Sequence, residues 1–293
     1  MRSLTLATVI ASTALLLCVA SAARADASPS TRVVVYPSAK QADDGRGNYY
    51  VSLLKLALSK SGNDFDVEPS ADPSVAMRAF ARMAAGKGID VIWAPATQQL
   101  EQEFRRVPVP LDKGILGWRL FLIKAKDQRL FASINTLDQL KALQAGQVSE
   151  WVDTEILRAN GLPVVDATLY ESLFKLLATD RFRYLPRGVA EIGADARSNA
   201  KLGLVIEPRL ALHYPMCVYF FVARGNAGLA DHIEAGLRRA RKDGSFEKLF
   251  QQFNGPAIRA ANLGQRQVFE LSNPTEPKDA QTVDGSCPNT APH

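Results

Sequence analysis

The sequence predicts an α/β protein of two lobes, each a mostly parallel sheet flanked by helices. Three observations carry this. Between residues 32 and 93, apolar runs of strand length alternate with stretches of helical spacing in the order β-α-β-α-β, the pattern of a parallel sheet covered by helices. A second block of the same kind fills about residues 124–214. Two long apolar strands, Ile115–Ile123 and Pro215–Ala223, flank that block. A middle block tied to the outer one by two strands forms its own lobe, and the pair can close on a cleft about the two crossings. The expected division is lobe 1 at 26–123 and 215–265, lobe 2 at 124–214, and a proline-rich tail at 266–293.

The elements follow in order. Arg32–Tyr36, the β-branched run RVVVY closed by Pro37, reads as the first strand. The polar stretch Ser38–Asn48 carries Asp44-Gly45-Arg46-Gly47 but lacks the lysine-serine ending of a phosphate loop. Tyr50, Leu53, Leu54, Ala57 and Leu58 share one helical face, so residues 49–60 form an amphipathic helix, stopped by Ser61-Gly62-Asn63. Phe65–Pro69 is a short strand. Ser74 caps a helix through Met83, and Ile89–Trp93 is a buried strand. The prolines of Val107-Pro108-Val109-Pro110 exclude it from a central ladder. In the middle block, Asn135–Asp138 has cap chemistry for a helix through Leu143. Val148–Ala159 reads as a helix, Pro163–Asp166 as a strand, Tyr170–Thr179 as a helix and Lys201–Ile206 as a strand. Residues 227–242 form an amphipathic helix that turns at Asp243-Gly244-Ser245 into a last helix, Phe246–Phe253. After about Arg266 the chain is polar and proline-rich, and disorder is expected.

The first residues predict export. Arg2, the apolar run Leu4–Val19 and the ending Ala23-Arg24-Ala25 match a secretory signal peptide, cleaved after Ala25. An uncleaved anchor helix and lipid attachment at Cys18 are the competing readings. The Ala-x-Ala ending disfavours the first, and bulky Leu17 the second. A cleaved chain would work in the periplasm, with no membrane span. Net charge is +5, and removing Arg2 and Arg24 leaves +3. That is too weak to indicate nucleic acid as a partner. Cys217 sits in an apolar run and reads as a buried thiol, and Cys287 lies in the tail. An oxidising compartment permits a bridge between them, but none is expected. His213, His232 and His293 are scattered and make no metal-ligand spacing. No metal, no cofactor and a monomer are expected.

Candidate ligand-binding residues sit where open α/β sheets place ligands, at the carboxyl ends of strands. Tyr36 ends the first strand, Trp93 the third, and Thr97 follows. Each has a bland alternative as rim aromatic, core or helix cap. Ser149 and the amides of Gln147–Glu150 open the helix read at Val148, where an anion is favoured. Trp151 beside them either stacks on a ligand or fills the core. Arg183 and Arg187 either hold an acidic ligand together or are solvated arginines balanced by Asp180 and Glu191. Trp118 is read as core, and His213 as structural. No nucleophile elbow or catalytic triad order is present in the sequence.

The ending Ala240-Arg241-Lys242-Asp243-Gly244-Ser245-Phe246, followed by Lys248-Leu249-Phe250, resembles a recurrent ending of type II periplasmic solute-binding proteins of amino-acid-binding family 3. The stretches Tyr49–Leu58 and Tyr170–Ile192 are similar to a divergent subgroup, and the resemblance covers residues 31–256. It implies a solute captured between two lobes for an ABC-type transporter. Two departures matter. The family's Thr-x-x-Arg step is here Thr97-Gln98-Gln99-Leu100, without the arginine that clamps an α-carboxylate. The aspartate that takes the ligand's ammonium is matched by Arg183. The resemblance thus implies a small polar or acidic solute other than a standard amino acid, with an inner-membrane permease or sensor as partner. An orphan signalling or interaction module is the alternative. The least favoured reading is a small-acid dehydratase using Glu150 or Glu191.

Overall fold

The computed structural model describes residues 31–38, 48–73, 76–277 and Cys287. The signal peptide, the Ser74 cap and most of the Ser38–Asn48 stretch lie outside the described residues. The first block contains β1 (Arg32–Tyr36), α1 (Asn48–Ser59), β2 (Phe65–Pro69), α2 (Ala76–Ala84), β3 (Val91–Pro95), α3 (Gln98–Glu103) and β4 (Phe104–Arg106). The middle block follows as β5 (Trp118–Lys124), α4 (Gln128–Ala132), α5 (Leu137–Lys141), β6 (Ala145–Val148), α6 (Val152–Ala159), β7 (Val164–Ala167), α7 (Tyr170–Ala178), β8 (Tyr184–Gly188), α8 (Val189–Ser198), β9 (Leu204–Ile206) and β10 (Leu210–His213). The chain returns as β11 (Val218–Ala223), α9 (Ala227–Lys242), α10 (Ser245–Ala261) and β12 (Gln267–Glu270).

The sheets are mixed rather than mostly parallel. β1 and β2 pair in parallel, and so do β6 with β7 and β8, and β10 with β12. The long strands that enter or leave a block run against their neighbours. β11 is antiparallel to β3 and β4, and β5 is antiparallel to β8, β9 and β10. The largest sheet has the order β12-β10-β5-β8-β6-β7, with β9 paired to β5. β5 therefore belongs wholly to this sheet, and the passages between blocks are the irregular segments 107–117 and 214–217.

Those passages explain two shifted boundaries. Ile115–Gly117 is a turn of 3-10 helix, not strand, because Lys113 (φ 52°) and Gly114 (φ 75°) bend the chain into the left-handed region. The return strand starts at Val218 rather than Pro215, since proline has no N–H to give the ladder. The prolines at 108 and 110 likewise stay out of it, and only the flanking amides bond β11, Val107 N to Phe220 O at 2.9 Å and Leu111 N to Val218 O at 2.9 Å. The two passages touch at Gly117, where any Cβ would overlap the Tyr214 carbonyl.

Asp112 ties the passages together. Its buried carboxylate accepts from Gly114 N (3.3 Å), Leu116 N (3.2 Å) and Val218 N (3.1 Å). Burial pushes this carboxyl up to about 6, partly offset by those backbone hydrogen bonds.

The core is built on the faces the periodicity indicated, except that Tyr49 rather than Tyr50 is buried at the start of the first helix. α1 buries Tyr49, Leu53, Leu54, Ala57 and Leu58, and α9 buries Leu229, Ile233, Leu237 and Ala240. The two helices pack at backbone contact, because Gly236 of α9 lies on the Ala57 carbonyl. The main apolar cluster continues from these helices through β11 and β5 to Leu173, Phe174 and Leu177 of α7, so both blocks share one seam. Residues after Ser30 form one compact unit.

Four local expectations change. Residues 145–148 are strand, not the start of a helix: Gly146 leaves room on the strand for the Phe182 ring, and the helix begins at Val152 with Trp151 as its cap. The last helix continues past Phe253 to Ala261, with Pro256 inside it. The tail is ordered through Pro277, since Gln267–Glu270 adds β12 to the edge of β10. Cys217 is buried, and it is bonded to Cys287 across 70 residues with Cα atoms 5.5 Å apart.

Gly236→Ala should destabilise the protein by about 1–3 kcal/mol, because the α1–α9 contact must part to admit a methyl group; urea unfolding measures it. Asp112 holds its proton to higher pH in the folded than in the unfolded chain, so its contribution to stability is complete below about pH 4. It is lost as pH rises to about 6, by up to about 3 kcal/mol at roughly 1.4 kcal/mol per unit. A carboxyl carbon NMR titration should place the Asp112 midpoint near 6.

Candidate functional site

A cleft of about 1160 Å³ opens between the two blocks. One wall is the end of β3 with α3 and the exposed Met77. The other is the segment from Ser149 through α6. Leu116, Arg119, Arg187 and Glu191 line its floor, and Pro274 and Thr275 of the tail border it.

Two buried guanidinium groups dominate the floor. Arg119 comes from β5, seven residues of which are all buried, so its charge has to be met inside the protein. Its Nε donates to Tyr214 Oη at 2.9 Å, and its Nη2 lies 2.8 Å from Asp153 Oδ1. Tyr214 Oη also donates to Asp153. Arg187 comes from β8. Its Nε donates to Asp195 Oδ2 at 2.6 Å, and its Nη2 lies 3.0 Å from Glu191 Oε2. Its guanidinium lies 5.0 Å from the ring centre of Trp151 and 5.2 Å from that of Tyr170, and the two rings are themselves neighbours with centres 6.1 Å apart. Tyr170 Oη donates in turn to Asp195 Oδ1 at 2.5 Å. Burial works against both cations. Asp153 and Tyr214 outweigh it at Arg119, and Glu191 and Asp195 at Arg187, so both groups are held above the usual arginine range.

Of the residues singled out by sequence, Thr97, Ser149, Trp151 and Arg187 line the cleft. Thr97 Oγ1 accepts from Leu100 N at 3.2 Å and caps α3, while Leu100 presents an apolar side chain to the same wall. Ser149 is exposed in the turn before α6 and is not the start of that helix. Tyr36, Trp93 and Arg183 do not line the cleft. Trp93 stacks on Tyr50 at 5.7 Å and leans on Tyr36 at 6.1 Å, a packed trio beneath the first wall. Arg183 sits elsewhere on the middle block, 3.0 Å from Asp180 and 3.6 Å from Asp127, in a network with Lys124 and Lys126. The pairings with Asp180 and Glu191 were foreseen for the two arginines, but Arg187 is buried instead of solvated. The sequence reading passed over Asp153, Tyr170, Asp195 and Tyr214. A charged residue inside the apolar run WRLFLIK was the available signal for a buried partner.

No family model matches the chain, and no curated protein matches it in sequence. Solved structures do match. An arginine-specific periplasmic binding protein of Salmonella typhimurium superposes with a TM-score of 0.57 at 14% identity, over 76% of this chain and 100% of that one. An ancestral arginine-binding protein bound to arginine gives 0.56 at 18% identity, over 76% and 97%. A histidine kinase sensor domain similar to periplasmic binding proteins gives 0.54 at 17% identity, over 77% and 96%. Among the described residues, no helix is long and apolar enough to cross a membrane. The chain has the α/β fold of the two-lobed type II periplasmic binding proteins.

Proposed function

We propose that this chain is an exported solute-binding protein that takes a small polar solute into the cleft between its blocks. The reading adds a signal peptide at residues 1–25, a periplasmic location and an ABC-type permease as recipient. Lobe 1 is the sheet of β3, β11 and β4 with β1 and β2, lobe 2 is the large sheet, and closure occurs about segments 107–117 and 214–217. Binding contacts made by both walls favour the closed form. The observation that supports this best is the cleft itself, walled by α3 and α6 over a rigid floor of Arg119 and Arg187.

The charge left over in the cleft bears on the solute. Arg119 and Arg187 are committed to Asp153, Glu191 and Asp195, and Arg158 at the rim is 2.5 Å from Asp166. Arg183, the other carrier of an acidic preference, is outside. Exposed Glu150 and Glu155 remain on the α6 wall. A neutral or cationic solute fits this better than an acidic one, and Leu100 removes the means of clamping an α-carboxylate. A second reading, in which the loaded protein reports to a membrane sensor, draws on the shared fold of the histidine kinase sensor domain.

A thermal-shift panel of amines, guanidines, sugars, dicarboxylates and amino acids tests the solute class. A ligand at about 100 times its Kd adds about 2.7 kcal/mol, which raises Tm by about 5–10 °C in a chain of this size. Amines or neutral solutes should give that shift; a shift confined to dicarboxylates overturns the charge reading. With a stabilising amine, the double substitution Glu150→Gln, Glu155→Gln should raise Kd about two- to tenfold, the scale of two exposed ion pairs. It should leave solute-free stability within about 0.5 kcal/mol.

A further inference from the structure

The tail makes further contacts between the blocks, and it does so at the cleft. After α10 the chain joins the large sheet as β12, in parallel register with β10 from Leu210–Gln267 to His213–Glu270. It then turns back toward the first block. Ser272 N donates to Asn160 Oδ1 at 3.0 Å, and Asn160 Nδ2 donates to Ser272 O at 2.8 Å. Asn160 closes the C-terminal end of α6, one wall of the cleft. Asn273 Nδ2 next donates to Pro215 O at 2.8 Å, on a passage between the blocks. Gln98 N donates to Thr275 O at 3.1 Å, and Gln98 Nε2 to Glu276 O at 3.2 Å. Gln98 is the first residue of α3, the opposite wall. Residues 272–276 thus run from one wall to the other, with Pro274 and Thr275 facing the cavity. Farther on, Cys287 is bonded to Cys217, whose carbonyl accepts from Ala96 N just ahead of α3.

We propose that residues 272–276 are a strap forming a third side of the solute site, and that the Cys217–Cys287 bond anchors it to the α3 wall. This rests on the reading of the cleft as a solute site. The hydrogen bonds that hold the strap are few, and each contributes only about 0.5–1.5 kcal/mol net. Thermal motion can therefore release it locally. The disulfide keeps the released segment close to its own binding groups, at the high effective concentration of a tethered partner. The walls then separate only as far as the tethered strap allows, and Pro274 and Thr275 meet whatever solute is bound. Without the disulfide the strap is tethered only from β12, its far end is no longer held near α3, and the walls part more often.

Amide hydrogen exchange of the whole, solute-free protein tests this, so a failed solute screen leaves the result untouched. In Cys287→Ser, exchange at Gln98 and Ser272 should rise about tenfold, while Leu120 and Leu122 of β5 keep their wild-type protection. Unchanged exchange at Gln98 and Ser272 overturns the strap, and so does a uniform rise that includes β5, which would make the disulfide a prop of the whole fold. If Cys287→Ser does not fold, Asn160→Ala carries the test from the other anchor with the disulfide intact. Faster exchange at Gln98, on the far wall, supports a single strap; unchanged exchange there overturns it.

Discussion

The cleft exists because two arginines with almost no exposure have been given counter-charges inside the protein. An isolated cation at either position would be expelled or would drag water into the sheet. Arg119 and Asp153 join the central strand of the large sheet to the helix that walls the cleft, and Tyr214 brings in the passage back to the first block. Arg187 joins β8 to α8 through Asp195 and Glu191, and packs beside the neighbouring rings of Trp151 and Tyr170. The floor is therefore fixed by the protein's own ion pairs. The same pairing that builds it holds both arginines in buried ion pairs.

The blocks are separate as sheets but not as cores. The apolar seam from α1 and α9 to α7 and the buried Asp112 at the junction give the two passages a packed support. Those short irregular segments include Lys113 and Gly114 in left-handed conformations.

Most of the first block was legible because its patterns are local. RVVVY and the 3.6-residue spacing of α1 each announce themselves within a few residues, as does the cap chemistry of Asn135–Asp138 in the middle block. β6 was misread because Gly146 and Gln147 lack strand character alone, and only the Phe182 ring supplies the reason for glycine. β12 was hidden in polar sequence, since its partner β10 is more than fifty residues away. Four of the seven proposed site residues border the cleft: Thr97, Ser149 and Trp151, chosen for their place after a strand or near a helix start, and Arg187, chosen as a cation paired with Arg183. The pairs that build the floor were not legible: Tyr214 reaches Arg119 across 95 residues and Asp153 across 61. Spacing rules carry no information over such separations.

The placing of β11 has a consequence for how the chain matures. It is the middle strand between β3 and β4, yet it lies more than a hundred residues after them. As the polypeptide emerges, the amino-terminal sheet stays incomplete with two unmatched strand edges until Ala223 has arrived, whereas the intervening region holds most of its ladder within a contiguous stretch. Long-range pairing of this kind is slow and leaves edges open to wrong partners. The order of assembly thus runs from the inside: most of the inserted half can set first, the sheet of β3 and β4 waits for β11, and β12 adds the final edge strand.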